Sequence, residues 1–80
     1  MTQPFRELDS VVLVHDLPDA GLFAGDLGAV VHVHAPDAFE VEFVAASGRM
    51  VALRTLSPED VRIANDDDVL AARPVRQSLT

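Results

Sequence analysis

Three histidines are the only side chains here with a strong affinity for transition metals, because the chain contains no cysteine. His32 and His34 stand two residues apart, so on a strand both project from the same side. His15 would join them if the first strand ran alongside, and a histidine triad with one open position suits catalytic zinc. Any wet strand with two histidines has this spacing, however, and Glu42 and Glu40 are placed to pair with His32 and His34 across a hairpin. That pairing is the reading adopted, so neither a metal nor another cofactor is expected. Asp66, Asp67 and Asp68 are adjacent and lack the alternating ligands and glycine turn of a calcium loop. They read as a solvated linker or an acidic docking segment. Asp16, Asp19 and Asp26 fall near turns, where aspartate commonly bonds nearby backbone.

Nucleophilic chemistry finds no pattern. Ser10, Ser47, Ser57 and Ser78 sit at strand or turn boundaries with no histidine beside them and no Gly-x-Ser-x-Gly elbow. Gly25-Asp26-Leu27-Gly28 precedes a strand and carries no lysine, so it offers phosphate neither a helix N-terminus nor a cation. Paired carboxylates for glycoside hydrolysis need an enclosing cleft, which 80 residues scarcely build. The expectation is a protein without catalytic residues, not an enzyme.

The elements that would position these groups are short and β-branched. Val11–His15, Ala29–His34, Phe39–Val44 and Met50–Thr55 alternate with a period of two, and turn residues separate them. Ser57-Pro58-Glu59-Asp60 has a cap residue, a proline and acids in the order of one short 3-10 turn. Val61–Ile63 follows as a last strand. The pattern predicts an all-β, five-stranded, strongly bent barrel ending at residue 64, followed by a flexible acidic tail over 65–80. Within the tail, aspartate could cap one or two helical turns ending at Pro74, and Arg73 to Thr80 reads as frayed.

Directly opposed residues of an antiparallel pair share a face. Placing Val31 and Val33 inward sets them against Phe43 and Val41, with a three-residue loop at Pro36-Asp37-Ala38. Phe43 then opposes Val51, and Val41 opposes Leu53. The expected core is Val11, Leu13, Val31, Val33, Phe39, Val41, Phe43, Val51 and Leu53, closed at one end by Leu56, Val61 and Ile63. On the outer face, His34, Glu40 and Arg54 form one row and His32, Glu42 and Ala52 a second. Val30, Val44 and Met50 form a third row with no charge to match. That row is the expected partner-binding patch, together with Asp66, Asp67 and Asp68, unless the tail's Val69-Leu70 covers it.

Thirteen acids against six bases leave a formal charge of −7, which repels a phosphate backbone. Tryptophan and tyrosine are absent, so stacking platforms for nucleic acid or proline-rich peptides are missing. No apolar run approaches the roughly 18 residues that span a bilayer, and the N-terminus is not a signal peptide. A cytoplasmic protein is expected, binding neither nucleic acid nor membrane. Unpaired strand edges make a homodimer a further expectation.

Leu8–Leu13, Asp16-Leu17-Pro18, Gly21-Leu22, Ala24–Val31, Phe39–Phe43 and Val51-Ala52-Leu53 before Ser-Pro-Glu-Asp-Val occur in an order that resembles a bacterial family, domain of unknown function 4926. These are small SH3-like barrel proteins, and the resemblance covers roughly residues 5–64. It implies that Gly25 and Gly28 shape the tight start of the second strand, and it brings no catalytic residue. It further implies an operon setting with an antitoxin- or immunity-like role toward a neighbouring gene product. The Gly-Asp-x-Gly-x-Val-Val segment also occurs in nitrile hydratase β-type domains, so the alternative is an accessory subunit of a larger enzyme.

Overall fold

A computed structural model describes residues 5–75. It is all-β, with five antiparallel strands in one sheet: β1 (Ser10–Leu13), β2 (Leu27–Ala35), β3 (Ala38–Val44), β4 (Met50–Leu56) and β5 (Val61–Ile63). Their spatial order is β4-β3-β2-β1-β5. Among the described residues no ladder joins β4 to β5, so the sheet is open and not the closed barrel expected from the sequence. Two 3-10 turns are present where one was expected, Pro18–Ala20 and Pro58–Asp60.

The inner face holds the core: Val11, Leu13, Val30, Phe39, Val41, Phe43, Leu56 and Val61 are buried together. Val33, Val51 and Ala52 pack against it. The ends are stoppered by residues outside the strands. Phe5 lies on Phe39 with ring centroids 4.8 Å apart, and Leu22 enters from the β1–β2 loop at 2% exposure. A leucine or phenylalanine buried this way contributes roughly 1.5–3 kcal/mol, which makes both part of the fold.

The strand register departs from the expected one at β2. Ala35 opposes Ala38, so the turn is the two-residue Pro36-Asp37 and not a three-residue loop. Parity alone argued against this, because it sets His34 against Phe39. Irregularities between Val33 and Ala35 and between Val30 and His32 each insert one extra residue, so Val33 meets Phe39 and Val30 meets Val41. Val30 is therefore fully buried and Val31 is 38% exposed, the reverse of the expected parity.

β4 is displaced by one as well, with Phe43 opposite Ala52 and Val41 opposite Arg54. Leu53 consequently points outward opposite Glu42 and is 46% exposed. A further irregularity after Phe43 restores the expected pairing of Val44 with Met50. Ile63 opposes Val11 but is 40% exposed, because three-residue β5 is an edge strand with no second neighbour.

The start of β2 depends on two glycines. Gly25 adopts a φ of +96°, in the region that side chains rarely enter, and its amide donates to the Leu13 carbonyl at 2.8 Å. Gly28 is needed for space. A Cβ there would sit 2.6 Å from Val41 Cγ1 and 2.8 Å from Phe43 Cε2.

Among the described residues beyond Ile63 no helix forms. Asn65–Asp68 is a turn, closed by the Asp68 amide donating to the Asn65 carbonyl at 3.1 Å. The Asp68 side chain has a better use than capping a helix, because it takes a two-bond fork from Arg62 at 2.9 Å. Arg73, read from the sequence as the start of a frayed end, is anchored to the β1–β2 loop. Residues 76–80 of that stretch lie outside the described residues.

Candidate functional site

Parity along the strands sends Ser10 and Val12 of β1, Leu27 and Ala29 of β2, Glu42 and Val44 of β3, and Leu53 and Met50 of β4 to the outer face. Cross-strand register then lines them up. Ser10, Ala29, Glu42 and Leu53 are successive partners across the sheet. Val12 opposes Leu27, and Val44 opposes Met50. Leu27 and Val44 line one shallow hollow of about 160 Å³ with Ser10, Ala29 and Glu42. The result is an apolar patch in which Leu27, Val44, Met50 and Leu53 are each 42–52% exposed.

Two members of this patch, Val44 and Met50, are those expected from the sequence. Val30 is not among them, because its side chain is in the core. Leu27 and Leu53 were missed, Leu53 because the expected register put it inside. Leu27 precedes the alternating run that marked the second strand, so periodicity did not assign it a face.

The segment after β5 lies beside one end of this patch. Val69, Leu70 and Ala71 face Val12 and Leu27 across a cleft of about 260 Å³, with Arg62 and Asp68 at its polar end. Val12 is 8% exposed although it lies outside the core cluster, and it lines this cleft together with the segment that follows β5, a strap that runs on to Arg73. The tail thus flanks Val12 and Leu27 and leaves Val44 and Met50 open. Of the expected acidic partner residues, Asp68 is engaged with Arg62, which holds its carboxyl at about 2 with help from the Asn65 amide. Asp66 and Asp67 are exposed.

Arg73 closes the strap. Its Nε donates to Asp26 Oδ1 at 3.0 Å, Nη2 donates to Asp26 Oδ2, and Nη2 also donates to the Gly21 carbonyl at 2.9 Å. The guanidinium lies 4.7 Å from the centroid of the Phe23 ring. Partial burial pushes the Asp26 carboxyl upward, but the Arg73 hydrogen bonds, the Phe23 amide and the Arg73 charge outweigh it and hold it below the usual range. Asp26 was read as a turn residue, which is half of its role: Oδ2 also accepts from the Phe23 amide at 2.8 Å.

The structure does not gather the histidines into one site. His15 Nε2 lies 2.7 Å from Asp60 Oδ1 in the second 3-10 turn. His32 and His34 touch edge to face, with centroids 4.5 Å apart. His34 pairs with Glu40 at 3.1 Å as expected, whereas His32 lies 3.8 Å from Glu7 and not beside Glu42. Among the described residues no group of three or more His, Cys, Asp or Glu is arranged to hold a metal ion.

Ser57, Asp60 and His15 do meet. The Asp60 carboxylate accepts from the Ser57 amide at 2.9 Å and from its hydroxyl at 3.1 Å, while its other oxygen faces His15. The carboxylate stands between serine and histidine, so the imidazole has no access to the hydroxyl proton. The trio caps the turn and ties it to the end of β1, where the Val14 amide also donates to the Asp60 carbonyl at 3.0 Å.

The family model for domain of unknown function 4926 (DUF4926) matches residues 7–63. The chain belongs to this family. The match runs from the turn before β1 to the end of β5, so it takes in the patch on β2–β4 and the Phe23–Asp26 loop but stops short of the strap. No curated protein and no solved structure matches this DUF4926 chain. No helix among its described residues is long and apolar enough to cross a membrane.

Proposed function

We propose that this DUF4926 protein is a non-enzymatic, SH3-like protein-interaction module of the bacterial cytoplasm. Its outer sheet face docks a basic partner encoded by a neighbouring gene, in an antitoxin- or immunity-like role. One observation carries this reading: a contiguous apolar patch of Leu27, Val44, Met50 and Leu53 lies unpaired on a chain of net charge −7. Half-exposed leucine and methionine on such a face supply affinity once water is excluded. The surrounding negative charge accelerates encounter with a basic surface and disfavours acidic ones. The same charge repels phosphate, so nucleic acid is not the proposed partner.

The test is co-expression with the product of the adjacent gene, followed by co-purification and a growth assay. Retention of that product, lost in the Val44→Asp/Met50→Lys double variant, supports the reading. A neighbouring product that is neither retained nor neutralised overturns it. Light scattering adds a separate arm. A mass that doubles with concentration, and reverts in the same double variant, assigns the face to a second copy of this chain and also overturns the heteromeric reading.

A further inference from the structure

The Phe23–Asp26 turn is held by bonds that do not involve Arg73. The Asp26 amide donates to the Phe23 carbonyl at 3.0 Å, the Phe23 amide fixes Asp26 Oδ2, and the Gly25 amide pins the loop to Leu13. They fix the Asp26 carboxylate, and Arg73 finds that carboxylate, the Gly21 carbonyl and the Phe23 ring face all within reach of one guanidinium. A planar fork of donors on a delocalised cation satisfies all three at once, which is the chemistry of an arginine side chain and not of a lysine.

The four residues before its resident occupant, Arg73, are lightly held. Val69 and Leu70 are 93% and 68% exposed. Val69, Leu70, Ala71 and Ala72 make no hydrogen bond to the sheet, and an open cleft separates Val69–Ala71 from Val12 and Leu27. Within residues 65–73, the side-chain bonds that tie the strap to the rest of the chain are the Arg62–Asp68 fork and those of Arg73. Leu27 lines both that cleft and the hollow shared with Val44, so lifting the strap would enlarge one continuous surface.

We propose that Phe23, Asp26 and the Gly21 carbonyl form a guanidinium-binding site, filled by Arg73 in the free protein and by an arginine of the basic partner in the complex. The partner's segment replaces Val69–Arg73 and lays apolar residues over Val12 and Leu27. This rests on the interaction-module reading above and names the partner chemistry that it needs.

The probe is the acetylated, amidated pentapeptide Val-Leu-Ala-Ala-Arg, with a control peptide ending in alanine. Both are titrated into the full chain while the amide resonances of Gly21, Phe23 and Asp26 are followed. Arg73→Ala should bind the arginine peptide at least about ten-fold tighter than the wild type, because the internal competitor is gone. The alanine peptide should not shift these resonances. Phe23→Leu in the Arg73→Ala background should weaken binding while leaving the Asp26 carboxylate and its amide bond intact. Equal affinity for wild type and Arg73→Ala, no binding to Arg73→Ala, or equal response to the two peptides would each overturn the site. No partner protein enters this experiment. Peptide binding alongside failed co-purification therefore keeps the guanidinium site but sinks the interaction-module reading and with it the partner's arginine, and the converse sinks only the guanidinium site.

Discussion

A single missing methyl group decides whether β1, β2 and β3 can come together. Val41 and Phe43 occupy the space that a side chain at position 28 would need, and both are buried. Gly28→Ala would force the core apart by overpacking, which costs about 1–3 kcal/mol. Thermal unfolding should show a midpoint lowered by about 4–8 °C per kcal/mol for a domain of this size. An unchanged midpoint would mean that Val41 and Phe43 do not pack as described. The importance of glycine here was legible in the Gly-Asp-Leu-Gly motif. The reason was not, because the neighbours that crowd Gly28 come from a different strand.

The 3-10 turn before β5 shows how one carboxylate joins elements distant in sequence. Asp60 caps its own turn through Ser57 and reaches His15 after β1, 45 positions away. The Asp60 hydrogen bond, reinforced by the Asp16 carbonyl, raises the His15 pKa above its ordinary 6.5. A raised folded-state pKa adds stability that is fully present below 6.5 and fades as pH rises through the folded value. The stability difference between wild type and His15→Asn should therefore be constant between about pH 5 and 6, where Asp60 stays charged, and shrink above neutrality. Chemical denaturation across this range checks it; a difference independent of pH would show that the pair does not form. Ser-Pro-Glu-Asp announced the turn from the sequence, whereas its histidine partner is brought to it only by β1–β5 pairing.

Across the whole molecule the acids do two opposed things. Their excess gives a net charge of −7, which steers a basic partner while adding internal repulsion. Three of them, Asp26, Asp60 and Asp68, are individually favoured in the charged form by arginine, histidine and backbone donors. Folded pKa values below the ordinary 3.8 place their contribution above that pH and remove it as pH falls through the folded values, down to about 2 for Asp68. Acid titration should thus leave the fold unchanged to near pH 4 and weaken it progressively below. Asp26→Asn should show a smaller acid loss than the wild type, and an identical profile would remove Arg73–Asp26 from the account. The acid excess was plain in the composition; which carboxylates gain partners was not.

By itself the sequence determined an all-β chain of five short strands, roughly where the chain turns between them, the proline-led turn before the last strand and the family. Those properties follow from local periodicity and turn chemistry, which each segment carries alone. Tertiary structure decided which valines face inward, because bulges after Val30 and Val33 reset parity between strands and a period-two pattern contains no mark of a bulge. It also decided the membership of the outer patch and the docking of Arg73 on Phe23 and Asp26. That contact spans 47 positions, and attraction between opposite charges chooses its partner only after the sheet has brought candidates within reach.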